Sequence, residues 1–234
     1  MHHNSNSTRL LAKYLIAVLA LIPVICDAQS RSQSTLTYYA DQRDYNSLNI
    51  QTHSQLIPTT LDIWGFTDFH SQQDQSSRRF DLTRYFAEYR LRTALDKRWM
   101  RGIAGLGVEI EYNDSSGPGN ELLRMGITYR HPLPLSGRSR GWLQWRLLPY
   151  ETDGSGQQFS LIHFLAWGDR LALTGFADFN HDETAANRWV AESQVSYVLS
   201  GSLRAVAEVR YNGFEEANPA LDGTGVAIGV SLTP

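Results

Sequence analysis

Two stretches of the sequence repeat one pattern of aromatic and acidic residues. Residues 61–70 read LDIWGFTDFH and residues 171–180 read LALTGFADFN, with Leu, Gly, Phe, Asp and Phe at equal offsets. In an extended strand alternate side chains share a face, which pairs Phe66 with Asp68 and Phe176 with Asp178. Aromatic faces can stack on a flat ligand, and carboxylates accept hydrogen bonds from its hydroxyl groups. The pattern predicts a surface for a flat, hydroxyl-rich molecule, with convergent strand composition as the alternative.

Neighbouring residues extend this candidate site. Asp62 and Trp64 precede Phe66 on the same face, and Glu88 and Arg90 lie on the polar face of the next apolar-polar segment, 83–94. The predicted substrate-binding residues are therefore Asp62, Trp64, Phe66, Asp68, Glu88, Arg90, Phe176 and Asp178.

Nothing in the sequence predicts catalysis or a bound cofactor. His53-Ser54 and His70-Ser71 place a hydroxyl beside an imidazole, but adjacent residues on a strand point to opposite faces and cannot form a nucleophile–base pair. The sequence contains no HExxH, no G-x-S-x-G and no Gly-Lys phosphate loop. We predict no catalytic residue, no metal and no cofactor.

The elements that position these residues are short alternating segments between turn-rich stretches. We predict strands at 35–41, 47–56, 61–70, 83–94, 100–112, 122–130, 141–150, 157–167, 170–180, 188–198, 202–212 and 223–232. Most have the length of a tilted strand that crosses a bilayer. Segment 202–212 is typical, because Leu203 and Val209 alternate with Arg204 and Arg210.

A soluble β-sandwich would show the same alternation, so three further features decide between the two classes. The number of strands is even, and aromatic residues lie near strand ends on the apolar face (Tyr112, Tyr129, Trp189, Tyr211). Short connections (57–60, 95–99, 168–169, 199–201, with 131–140 as an exception) alternate with longer ones (71–82, 113–121, 151–156, 181–187, 213–222). These features favour an all-β fold, a closed antiparallel transmembrane β-barrel of about 12 strands.

The N-terminal residues predict export. Arg9 and Lys13 precede an apolar run at 14–26, and small residues lead to a cleavage site after Ala28. This is the pattern of a signal peptide, and the run is too short for a transmembrane helix. A lipoprotein anchor at Cys26 is the alternative. We assign 1–28 to the signal peptide and 29–234 to the barrel, located in the bacterial outer membrane.

Composition excludes other classes. Loss of Arg9, Lys13 and Asp27 with the leader shifts the net charge from −3 to −4, which favours no nucleic-acid partner. The only cysteine, Cys26, leaves as well, so the mature chain can form no disulfide.

If the apolar faces meet lipid, the polar faces line a lumen crowded with charge. These residues are Arg84, Arg90, Arg92, Arg101, Arg124, Arg130, Arg146, Arg188, Arg204 and Arg210, with Asp62, Asp68, Glu88, Glu109, Glu111, Asp178, Glu192 and Glu208. The near balance of charge predicts an ion-paired wall around a narrow hydrated passage, and a completely filled barrel is the alternative.

One stretch is similar to a known family. Residues 60–69 (TLDIWGFTDF) follow a strand with Asn49, Gln51, His53 and Gln55, and together they resemble an early strand of Tsx-type nucleoside-specific channel-forming outer-membrane proteins. The resemblance implies a twelve-stranded barrel and diffusion of nucleosides through a passage lined by aromatic and charged residues.

The predicted function is therefore an outer-membrane channel for passive diffusion of small solutes, with nucleosides foremost. The expected partners are the solute, outer-membrane lipid and lipopolysaccharide, and the barrel-assembly machinery. The alternatives are a barrel enzyme acting on lipid or lipopolysaccharide, and a filled structural barrel.

Overall fold

The computed structural model describes residues 31–57, 61–71, 81–95, 103–153, 156–183, 186–214 and 222–234. Its strands are β1 (Arg31–Asp41), β2 (Tyr45–Ile57), β3 (Leu61–His70), β4 (Arg84–Ala94), β5 (Leu106–Ser115), β6 (Leu122–Pro132), β7 (Ser139–Glu151), β8 (Gly156–Trp167), β9 (Leu171–Asp182), β10 (Arg188–Ser200), β11 (Leu203–Asn212) and β12 (Gly223–Leu232). Each strand pairs with its sequence neighbours, and β1 pairs with β12, which closes the barrel. Among the described residues, no helix is long and apolar enough to cross a membrane. The closed antiparallel twelve-stranded barrel predicted from the sequence is confirmed.

The distribution of polarity is the reverse of that in a soluble domain. Ile228 and Val209 are 65% and 50% exposed on the outer face, whereas Arg146 and Glu111 are fully buried inside. Water would penalise such an outer surface, while lipid matches it. The barrel therefore spans a membrane, and the predicted location in the outer membrane is confirmed by the fold.

Aromatic side chains form a belt near each end of the barrel. We call the end at which β1 begins and β12 finishes the terminal end. Tyr129, Trp167 and Tyr197 are exposed on the outer face toward this end, and Tyr150, Trp189 and Tyr211 toward the opposite end. Belts of this kind place amphipathic rings at the two membrane–water interfaces.

The predicted strands agree with the structure to within two residues at each end except at β1, which begins at Arg31 instead of 35, and at β5. The prediction 100–112 is wrong at its start, because the strand begins at Leu106 and extends to Ser115; residues 100–102 lie outside the described residues. Gly105 has φ 95°, a left-handed conformation that interrupts an extended strand. Its carbonyl accepts hydrogen bonds from the Arg130 backbone N–H and from the Arg92 side chain. The connection after β4 is thus 95–105, which is longer than the predicted 95–99.

The predicted contrast between short and long connections holds only in part. At the opposite end, 71–83 and 213–222 are long, but 42–44 and 152–155 are short. Strand extension causes this difference, because β2 begins at Tyr45 and β7 and β8 reach Glu151 and Gly156, each beyond its predicted bound. The proposed signal peptide, 1–28, lies outside the described residues and stays a prediction.

The seam between β1 and β12 depends on Gly229, which pairs with Tyr39. A Cβ at this position would overlap the backbone carbonyl of Tyr38. We expect Gly229→Val to destabilise the barrel by about 1–3 kcal/mol because the seam must shift to admit the side chain. The urea midpoint of unfolding in detergent, followed by heat-modifiable migration, measures this effect.

Ile228→Val is the matched control on the same strand, because Ile228 faces outward and is largely exposed. Its effect should stay within about 0.5 kcal/mol. Equal midpoints for the two variants would contradict the geometry of the seam.

Candidate binding site in the barrel lumen

The lumen contains a cavity of about 500 Å³ that extends to Gln33 and His53 near the terminal end. Arginines and carboxylates line it in equal number, together with aromatic rings and side-chain amides. Six of the eight predicted site residues border this cavity: Asp62, Trp64, Phe66, Asp68, Arg90 and Phe176. Glu88 and Asp178 are buried in the wall instead.

One wall of the cavity carries the first copy of the repeated pattern. The Trp64 and Phe66 rings of β3 meet edge to face with centroids 5.4 Å apart. The Arg90 guanidinium of β4 lies 4.6 Å from the Trp64 ring centroid, because the register places these two residues directly opposite each other. This cation–π contact gives the wall a planar, aromatic and positively charged surface.

The two acids of this wall are both held by neighbours. Asp62 Oδ2 lies 3.7 Å from Arg92 Nη1, and Asp68 Oδ1 accepts a hydrogen bond of 2.9 Å from Asn49. Each carboxylate keeps further acceptor positions for a ligand.

The second copy of the pattern lies on β9, six strands away in the closed strand order and therefore on the opposite wall. Phe176 borders the cavity beside Glu192, its register partner on β10. Asp178 pairs in register with Ser160 of β8, and its Oδ1 is buried without a hydrogen-bond partner among the described residues. The two copies face a common space, and their role in binding stays a prediction.

The repeated glycine has a structural role in both copies. A Cβ at Gly65 would meet the Tyr89 ring, and a Cβ at Gly175 would meet the His163 ring. In each copy the glycine faces outward, and the ring of a residue on a neighbouring strand (Tyr89 of β4 or His163 of β8) packs over it. This part of the pattern agrees with the alternative interpretation, convergent strand composition.

Sequence reasoning missed a second aromatic unit in the cavity. The Arg130 guanidinium lies 4.5 Å from the Trp142 ring centroid, and Trp142 stacks on Phe164 at 5.9 Å. Arg130 Nε donates a hydrogen bond of 2.7 Å to Gln144 Oε1. These residues lie on β6, β7 and β8, and only the strand register brings them together.

An ion-pair network on β4 to β7 lies on one side of the lumen, and two of its members, Arg90 and Glu109, also border the cavity. Arg146 Nε lies 2.6 Å from Glu109 Oε1, and its Nη2 pairs with Glu111. Arg124 and Arg90 also pair with Glu111, at 3.1 and 3.3 Å. Pairing of this kind compensates for removing the charges from water.

A glycine and a bulge make this network possible. Gly126 points into the lumen between Arg124 and Thr128, and a Cβ there would overlap the backbone carbonyl of Leu147 on β7. The register of β6 with β7 shifts between Met125 and Ile127, and the bulge turns Glu151 inward, 3.1 Å from Arg124. The sequence pattern predicts Glu151 in the connection 151–156, and this prediction is wrong because Glu151 is the last residue of β7.

A second ion-pair cluster occupies the wall formed by β10, β11, β1 and β2. Arg210 pairs with Glu208 and lies 3.8 Å from Glu192, and its guanidinium is 4.8 Å from the Tyr39 ring centroid. Gln194 donates a hydrogen bond of 2.7 Å to the Tyr39 hydroxyl. This cluster is the counterpart of the first network on the facing wall.

A serine and a histidine meet on the outer wall. The strand register puts His163, Gly175 and Ser193 side by side, and Ser193 Oγ lies 3.4 Å from His163 Nε2. The two residues lie on β8 and β10, on either side of β9, so they form no motif along the sequence. Among the described residues, no carboxylate bonds to this imidazole, and no group of three His, Cys, Asp or Glu could hold a metal ion.

Comparison with known proteins shows the fold. No protein-family model and no curated protein matches the chain. Among solved structures, it resembles the NanC porin (TM-score 0.53, 7% identity, 85% of this chain and 98% of that one). It also resembles the KdgM porin in complex with disordered oligogalacturonate (TM-score 0.51, 10% identity, 86% and 98%).

An active-site mutant of outer-membrane phospholipase A from Escherichia coli is equally similar, with TM-score 0.52 and 17% identity over 88% of this chain and 92% of that one. The chain has the outer-membrane barrel fold. Because porins and a lipid hydrolase share this fold, the choice between them depends on the site.

The network around Arg146 yields a stability prediction. We expect Arg146→Met to cost about 3–5 kcal/mol, because Glu109 and Glu111 would lose a buried counter-charge. Adding Glu109→Gln and Glu111→Gln should restore part of the loss. Equilibrium unfolding in detergent measures both effects.

Arg138→Gln is the control, since Arg138 is exposed in the turn between β6 and β7. Its effect should stay within about 0.5 kcal/mol. A triple variant no more stable than Arg146→Met would show that uncompensated charge is not the cause.

Proposed function

We propose that this chain is an outer-membrane channel through which small solutes, nucleosides foremost, pass by passive diffusion. The observation that carries the proposal is the 500 Å³ cavity with balanced charge and aromatic walls. A volume of this order accommodates a small organic molecule. The balance of arginines and carboxylates suits a neutral solute with many polar groups.

The chemistry of the walls supports a nucleoside. Trp64, Phe66 and Phe176 offer ring faces to a base, and Asp62 and Asp68 offer acceptors to ribose hydroxyl groups. The resemblance of residues 60–69 to Tsx-type channels points to the same ligand class. Acidic residues in the connections at the opposite end, such as Glu121 and Asp153, would repel anionic solutes.

We assign the terminal end to the periplasm, as outer-membrane barrels with an even number of strands place both termini there. The cavity reaches this end, since Gln33 and His53 border both it and a recess beside Pro234. The solute would pass between the two ion-pair clusters, which lie on different walls. Lipopolysaccharide around the acidic outer connections and the barrel-assembly machinery remain the expected partners.

Acidic sugars are the second candidate solute. Arg130 gives the cavity a cation that no described carboxylate neutralises, and the KdgM porin, which shares the fold, was solved with oligogalacturonate. Entry of galacturonate into liposomes, measured beside uridine and glucose, separates the two solute classes.

A lipid hydrolase is the alternative from another class. Ser193 and His163 form its possible nucleophile and base, but the described residues provide no third group to orient the imidazole, and the pair lies mid-strand, away from the interfaces where lipid esters are found. The contact is explained instead by the Ser193 hydroxyl and the His163 imidazole, which hydrogen-bond to each other where lipid offers no partner. Fatty-acid release from the same liposomes tests this alternative.

Removal of the stacking faces tests the proposed solute. We expect the double variant Phe66→Ala, Phe176→Ala to raise the half-saturating uridine concentration about tenfold, because stacking contributes about 1–3 kcal/mol per base. Uptake of labelled uridine into proteoliposomes measures the change, with glucose flux as the internal reference.

Phe159→Ala is the matched control, because Phe159 is exposed on the outer face. It should leave uridine uptake unchanged. If the double variant also matches the parent, Phe66 and Phe176 are structural; if no solute enters the parent liposomes, the barrel is filled.

A further inference from the structure

Arg130 differs from the other arginines that border the cavity. Arg90 pairs with Glu88 and Glu111, Arg92 lies 3.7 Å from Asp62, and Arg210 pairs with Glu208, as the ion pairs of the described residues show. No described carboxylate lies within ion-pair distance of Arg130.

The acids nearest to Arg130 are occupied by other arginines. Asp62 and Glu109 act on it electrostatically, but Asp62 is held by Arg92 and Glu109 by Arg146. The charge of Arg130 is therefore available to a ligand in the cavity.

The contacts of Arg130 fix its orientation and leave two donor groups unused. Nε donates to Gln144 Oε1, and the Trp142 ring lies against the guanidinium. The terminal Nη1 and Nη2 groups have no acceptor among the described residues. A guanidinium held in this way presents a planar fork of donors to two acceptors on one edge of a ligand.

We propose that Arg130 reads the base of the nucleoside and selects 6-oxopurines over 6-aminopurines. This inference rests on the proposed function. Guanosine and inosine present O6 and N7 as paired acceptors, which match the arginine fork. Adenosine presents a donor amino group at the same edge and loses one of the two bonds. The stacked Trp142 and Phe164 rings form an apolar face beside the fork.

The unit on the other wall cannot make this selection. Arg90 stacks on Trp64 as Arg130 does on Trp142, but its charge is neutralised by ion pairs with Glu88 and Glu111. Any base could thus stack on the Trp64 ring, and selection between purines would depend on Arg130.

The test compares inosine with adenosine, which differ at the exocyclic group of the purine. Uptake into proteoliposomes at concentrations well below saturation should favour inosine about tenfold in the parent protein. In Arg130→Gln the ratio should fall to about one. Arg130→Lys, which keeps the charge without the fork, should also lose the preference.

Arg138→Gln is the matched control, since it removes an exposed arginine outside the cavity; its ratio should equal that of the parent. Heat-modifiable migration confirms that each variant is folded, and the parent ratio tests the inference without any variant.

The remaining outcomes are distinguishable. Equal uptake of the two purines by the parent would overturn the inference and leave the nucleoside channel standing. Failure of every nucleoside to enter would overturn both. If galacturonate enters faster than either purine, and Arg130→Gln lowers only its flux while Arg130→Lys retains it, Arg130 is an anion site and the base-reading role is wrong.

Discussion

Closure of the β-sheet is the constraint on which the rest of this structure depends. In lipid every backbone N–H and C=O group needs a partner within the protein, and a sheet meets this requirement only when its first and last strands pair. Here β1 and β12 join over residues 36–41 and 227–232. Once the sheet is closed, each strand has one face toward lipid and one toward the lumen. The alternation of apolar and polar residues along the sequence therefore places apolar side chains in lipid and polar side chains in the lumen.

The lumenal face then has to accommodate many charges in a small space. Arg146, Glu111 and Glu208 are almost completely buried, and each would be costly without its partners. Ion pairing across neighbouring strands solves this problem and also shapes the passage. The ion-paired side chains occupy two facing walls of the lumen, and the cavity lies between these walls together with aromatic side chains. The stability of the barrel and the form of its proposed solute path thus depend on the same residues.

Glycines permit close approaches inside the barrel. Gly126 lets β6 approach the Leu147 backbone of β7, and Gly225 makes room on β12 for Arg43, whose side chain would overlap any Cβ there. Arg43 is bonded to Asp41 and Tyr45 at the same end of the barrel. A larger side chain would displace the β7 backbone at Gly126 and the Arg43 side chain at Gly225. These positions have no chemistry of their own, but they set the geometry of the groups that do.

The sequence by itself determined the class of fold, the number of strands, the sorting of residues such as Arg90 and Glu111 to the lumen, and the placing of the two repeated stretches on opposite walls. These features follow from a period of two along each strand, which is local and can be read without a partner strand. Only the tertiary structure decided which residues meet. The contact of Arg130 with Trp142 and that of Ser193 with His163 depend on the register between strands, and the inward turn of Glu151 depends on a bulge. Register is fixed by packing around the whole closed sheet, and a shift of one residue would reverse every side chain, so no single segment of the sequence contains it.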